Sequence, residues 1–279
     1  MITKESITNV SGDTPVLGYL LYYRTGAFSI PYSHFTDLLD QCGIDKAISH
    51  ETRAKSAFLR AVKDNKTHDS VVRHIEGEKE TITVVAKVDA NTSYEATISS
   101  EAVPVFDKEN KSIKQTGGLT GLQTSFDHHK TMYSADQFRF TAIRYLKQVC
   151  SALTVTNTGG MYFVSIKFKN ELDKLEKLFN LIGHDCTLFP IPVYDNEQTR
   201  KPMWVTMTNE VAQDIVKLKE EFDTLDTEIS ERTLAIRLKR YATVKSKVEM
   251  YEEALQGTAD TLKSELDNLS KLVQQKLVA

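Results

Sequence analysis

A chain of 279 residues, 41% hydrophobic and 26% charged, carries enough apolar material for one large domain or two modest ones. Its formal net charge of −3 excludes a global basic field for nucleic acid and leaves only a local patch open. Three cysteines, Cys42, Cys150 and Cys186, show neither zinc-knuckle nor disulfide-framework spacing and suit a reducing cytoplasm.

The first residues, "MITKESITNVSGDTP", lack the basic start and apolar core of a signal peptide. The run "VLGYLLYY" is far shorter than the ~20 apolar residues a membrane span needs. The expectation is a cytoplasmic protein with no membrane partner. Residues 16–30, "VLGYLLYYRTGAFSI", read as a strand or hairpin turning at Gly26. Ser33 is the expected N-cap of "HFTDLLDQC", which Gly43 ends, and Ser49 the cap of "HETRAKSAFLRAVKD".

The period then shifts from helical to alternating. "SVVRHIEGEKETITVVAKVDANTSYEATISS" predicts three antiparallel strands, with a fourth at "AVPVF". Residues 107–130, with three glycines among polar residues, read as a long loop or domain boundary. A helix over "SADQFRFTAIRYLKQVCSAL" follows, then "LTVTN", "TGG" and "MYFVSIKF". After the helix "KNELDKLEKLFNLIG", both "CTLFPIPVYD" and "KPMWVTMT" read as strands. This αββαββ order suggests helices on one face of an antiparallel sheet.

The pair Gly159–Gly160 leads into strand-like residues, and no Lys–Ser/Thr pair follows. A phosphate loop leads from a strand into a helix. The pair is therefore expected to be a β-hairpin tip. The combination of "IRYLKQVCSAL", "GGMYFVSI" and "LFPIPVYD", with "SIPYSHFTDLL" and "AFLRAV" upstream, resembles an uncharacterised family of phage and bacterial proteins. That family has a GG-x-YFV hairpin followed by a helical region. The resemblance implies a phage-related context, and it supplies no activity and no catalytic residue.

From Thr208 to Gln256 the only Gly, Pro or Asn is Asn209. Ile215, Leu218, Phe222, Leu225 and Ile229 follow heptad steps, and Tyr241, Val244, Val248, Tyr251 and Leu255 repeat them out of phase. Some 47 helical residues would span roughly 70 Å. Residues 220–231 hold six acids and no base, and residues 232–247 hold six bases and no acid. An antiparallel pair of such helices sets acid against base, whereas a parallel pair stacks like on like. Two arrangements satisfy this pattern: an antiparallel homo-oligomer built on those ten seam residues, or a bend near 231–240 that closes a hairpin within one chain. Leu262, Leu266, Leu269 and Val273 mark a final amphipathic helix.

Candidate chemistry is sparse. Asp127, His128 and His129 have metal-ligand chemistry, but consecutive side chains converge on one ion only in a tightly curled loop. The alternative is a polar loop with solvated histidines. No G-x-S-x-G elbow occurs, Cys150 sits on an apolar face, and no cofactor is implied. The helix 50–63 carries Arg53, Lys55, Arg60 and Lys63 and precedes two strands, the order of a winged helix-turn-helix.

The expected fold is α+β in three parts. A β-rich module with two helices spans 1–130, a compact α+β unit 131–208, and a coiled-coil or helical-hairpin region 209–279. The expected function is non-enzymatic self-association or assembly through the C-terminal helices. The alternative is nucleic-acid binding by the basic helix.

Overall fold

The computed structural model describes residues 14–66, 70–87, 103–156, 159–223 and 231–278. The chain is mixed α+β, with antiparallel sheets and helices at its C-terminal end. It divides into two compact units, one of Met1–Gly26 with Phe140–Ala279 and one of Ala27–Arg139. The division falls at 26/27 and 139/140 because the first strand joins a sheet whose other strands lie beyond residue 150.

In the first unit, β1 (Val16–Arg24) lies between β10 (Thr187–Tyr194) and β9 (Tyr162–Ser165), and β8 (Leu153–Thr154) forms the other edge. All pairings are antiparallel, with Tyr22 opposite Phe189 and Leu20 opposite both Ile191 and Phe163. β1 therefore makes no hairpin at Gly26, and the next strand pairs elsewhere. The double-glycine expectation holds. Gly159 and Gly160 adopt φ of 76° and 88° between β8 and β9, a region open to glycine at no steric cost.

Period-two alternation gives this sheet two apolar faces. On one, Tyr23 meets Phe179 of α5 (Lys169–Ile182), ring centroids 5.9 Å apart. On the other, Phe163 meets Tyr251, centroids 6.3 Å apart. That second face is covered by α6 (Glu197–Asp223), α7 (Glu231–Leu255) and α8 (Asp260–Val278), which share one core with Leu17, Leu153, Phe163 and Val193.

"KPMWVTMT" is helical, not a strand: it lies inside α6. Its β-branched residues are outweighed by a four-residue stripe, Met203, Met207, Val211 and Ile215, all buried. Asn196 and Thr199 cap the start reciprocally: Thr199 N donates to Asn196 Oδ1 (3.0 Å) and Asn196 N to Thr199 Oγ1 (3.3 Å).

In place of one helix over 208–256, α6 ends at Asp223 and α7 begins at Glu231. The two run antiparallel in the same chain, since Lys247 meets Glu210 while Arg240 meets Glu221. The seam residues Ile215, Leu218, Phe222, Val244, Val248, Tyr251 and Leu255 are buried in this intrachain core, and Tyr241 packs on its margin. Leu225 and Ile229 lie outside the described residues. Gly257 closes the turn into α8 against Trp204, whose ring would stand 2.6 Å from an added Cβ.

In the second unit, β2 (Ser29–Pro31) pairs with β7 (Met132–Ser134) beside α1 (Tyr32–Cys42). Pro31, not Ser33, precedes α1, and its fixed φ suits a helix entry. Phe35 stacks on Tyr133 with centroids 4.0 Å apart. A short 3-10 turn at Lys46–Ile48 delays α2 to Ala54–Asn65, so Ser49 closes that turn and does not N-cap α2; its hydroxyl donates to Lys46 O.

The strands β3 (Ser70–Glu76), β4 (Glu80–Lys87), β5 (Pro104–Asp107) and β6 (Ser112–Thr116) form an antiparallel meander. The strand expected within 88–102 lies outside the described residues. The expected loop at 107–130 instead contains β6 and α3 (Leu122–Thr131). Leu122 and Phe126, one helical step apart, bury against Phe58, Ala61 and Phe106, and that pair outweighs the polar composition. α4 (Ala135–Gln148) leads back to the first unit.

Because the seam closes inside one chain, truncating it should cost core energy that does not depend on association. Leu218→Ala is expected to lower unfolding free energy by about 2–5 kcal/mol. Denaturant midpoints, measured at several protein concentrations, should fall equally at each. A loss that grows on dilution would place the seam between chains.

Candidate functional site

The densest polar constellation lies where α6, α7, α4 and β8 meet. Glu210 follows Met207 by three residues, so it falls on the apolar side of α6. Lys247 falls between Val244 and Val248 on the facing side of α7, and Lys147 comes from the last turn of α4. Glu210 Oε1 accepts from Lys147 Nζ at 2.6 Å and from Lys247 Nζ at 2.7 Å. Its Oε2 accepts from the Thr154 amide at 2.6 Å, tying the carboxylate to edge strand β8.

The lysines are held further. Lys247 Nζ donates to Ala152 O at 3.3 Å, and Lys147 Nζ donates to Thr154 Oγ1 and stands over the Tyr162 ring. Nearby, Tyr251 donates to Ser151 O at 3.0 Å. Burial by itself raises the carboxyl pKa of Glu210. The Lys247 charge and the hydrogen bonds from both lysines and the Thr154 amide outweigh it, and the pKa settles at about 2. Burial, then the neighbouring Lys247 charge, holds Lys147 below the usual ammonium range.

Two ammoniums sharing one carboxylate make a structural clamp. Both carboxylate oxygens are occupied by chain donors, and the buried Cys150 has its thiol pushed up to about 12 by burial. A thiol so raised stays protonated and inert near neutral pH.

Elsewhere the candidate residues separate. Asp127, His128 and His129 lie on α3, not in a loop, and consecutive helical positions point to different sides. His129 Nε2 meets Asp64 Oδ2 at 2.6 Å, whereas Asp127 accepts from Gln123. Among the described residues, no three His, Cys, Asp or Glu side chains are placed to hold a metal ion.

Of the basic helix, Lys55 pairs with Glu76 at 2.6 Å, and Arg60 donates to Gln137 Oε1 at 3.3 Å. Arg53 and Lys63 are exposed. The structure thus places Lys55, Arg60 and Lys63 on α2 and Arg53 at its N-cap, with Lys55 and Arg60 engaged by Glu76 and Gln137.

A family profile matches residues 16–279, from the first residue of β1 through both units. The chain belongs to a family of unknown function, DUF6744. No curated protein and no solved structure matches it. Among the described residues no helix is long and apolar enough to cross a membrane.

Sequence reasoning singles out none of Glu210, Lys147 and Lys247 as a site residue, although an acid and a base set within the facing apolar stripes of α6 and α7 were the available signal. Glu210 keeps its charge in the folded state well below the ordinary carboxylate range. Its contribution is therefore full above about pH 4.5 and is lost as pH falls toward 2. Glu210→Gln should be less stable than the parent at pH 6, and the gap should shrink steadily between pH 5 and 2. A pH-independent gap in parallel melts would contradict the clamp's electrostatics.

Proposed function

We propose that this member of DUF6744 is a non-enzymatic, self-associating interaction or assembly protein. One observation carries the reading: large apolar side chains stand exposed on regular elements whose opposite sides are packed. Tyr22, Phe189 and Ile191 lie on the sheet, and Val205 and Val216 lie along α6. Apolar residues gathered outside a packed core mark surfaces that meet partners. Among the described residues the heptad seam is packed within its own chain, so association uses outer surfaces. The phage-related context that the resemblance implies and the cytoplasmic setting expected from the sequence belong to the same proposal.

A second reading, nucleic-acid binding through α2, is favoured by the exposure of Arg53 and Lys63 on the helix that precedes the β3–β4 hairpin. Its winged-helix order is offset by the occupied Lys55 and Arg60 and by the 3-10 turn between α1 and α2.

Solution mass by light scattering, on the full chain at several concentrations and at low and high salt, separates the two. The expected result is a mass that rises with concentration and survives salt, as apolar contact requires. A chain that remains monomeric throughout contradicts self-association. Binding of duplex DNA that weakens steeply with salt would then favour the second reading.

A further inference from the structure

The exposed corner of the first unit's sheet has a specific composition. On β1, Leu20, Tyr22 and Arg24 share a face, and opposite them on β10 stand Ile191, Phe189 and Thr187. Tyr22 and Phe189 stack with centroids 5.9 Å apart. Farther along, Phe163 and Val193 of the same face are covered by the helices, but the corner is not: Tyr22 is 53% exposed, Phe189 45% and Ile191 52%. Beside the apolar centre stand one cation and one anion, Arg24 and Asp185. They lie 3.9 Å apart, with side chains 66% and 81% exposed.

Two features decide what this corner can take. β10 is an edge strand, yet it carries Pro190 and Pro192 two residues apart. β10 pairs with β1 along its whole length, so the two missing amides fall on the outward side, and a further strand would find no donor at the two central positions of that edge. Edge-to-edge extension is thereby disfavoured, which leaves face contact as the favoured mode. The second feature is charge. An apolar centre flanked by one cation and one anion is complementary to itself. Across a two-fold axis, Arg24 of one copy would meet Asp185 of the other, and the reverse. A partner surface of a single sign would leave one of the two charges opposed.

We infer that the Tyr22–Phe189–Ile191 face, flanked by Arg24 and Asp185, is a docking surface for a second copy of this chain, packed face to face about a two-fold axis. This rests on the self-association reading and names its surface. Three exposed side chains are a small core beside the ~800 Å² per partner of a standard interface, so the dimer is weak and concentration-dependent.

The test is sedimentation velocity on the full chain over a wide concentration range. The wild-type mass should rise toward a dimer, and Phe189→Ser should remain monomeric with its melting temperature little changed. A charge pair addresses the occupant directly. Arg24→Asp alone and Asp185→Arg alone should each remain monomeric, because each sets like charges across the axis. Mixing the two variants should restore dimers, because both cross-pairs then become opposite in sign. If the wild type dimerises while Phe189→Ser dimerises equally, or the mixture does not recover, this surface is overturned and self-association survives elsewhere. A wild type that is monomeric at every concentration overturns the surface and the self-association reading together.

Discussion

The carboxylate of Glu210 is the constraint on which the first unit depends. It sits among apolar side chains between two helices, where an ionised group without partners is strongly disfavoured. Only the joint presence of Lys147, Lys247 and the Thr154 amide makes that position tolerable. These partners come from α4, α7 and β8, so satisfying one charge fixes four elements at once. Removing one member of such a set typically costs about 3–5 kcal/mol, because the others are left buried without compensation.

The same contact sets register. Apolar stripes on α6 and α7 would tolerate slippage by a turn, since Met, Val, Ile and Leu interchange readily in such seams. A slip that moved Glu210 away from Lys247 would leave opposite charges unpaired in the core. Arg237 and Arg240 at Glu221 repeat the constraint at the far end of the hairpin. Within the acid-then-base stretch, Glu221 thereby finds its basic partners, Arg237 and Arg240, inside the same chain. Large apolar side chains stay exposed on outer surfaces, among them the sheet corner at Tyr22 and Phe189 and the solvent side of α6.

Much of the fold was legible because it depends on short-range pattern. The five-residue apolar stripe of α5, the hairpin at Gly159–Gly160 and the apolar run of β10 need only local rules. What escaped depends on residues far apart. β1 pairs with β9 and β10 across more than a hundred intervening residues, and nothing near Gly26 signals that. "KPMWVTMT" contains strand-favouring residues, and its helical stripe shows only when Met203 and Met207 are read together with Val211 and Ile215. The three glycines before α3 hid a helix that two buried residues, Leu122 and Phe126, hold in place. The candidate site was the least legible part, because Lys147, Glu210 and Lys247 mean little until tertiary structure joins them.

The central claim is that α6 and α7 close on each other within a single chain around Glu210. The most direct measurement is zero-length carbodiimide cross-linking of an equal mixture of isotopically light and heavy protein, read by mass spectrometry. The peptides that should couple are those joining Glu210 to Lys247 or Lys147, and Lys167 to Glu253. The account predicts only all-light and all-heavy products for these pairs. Mixed light–heavy products at Glu210–Lys247 would show that the hairpin forms between chains and would contradict it.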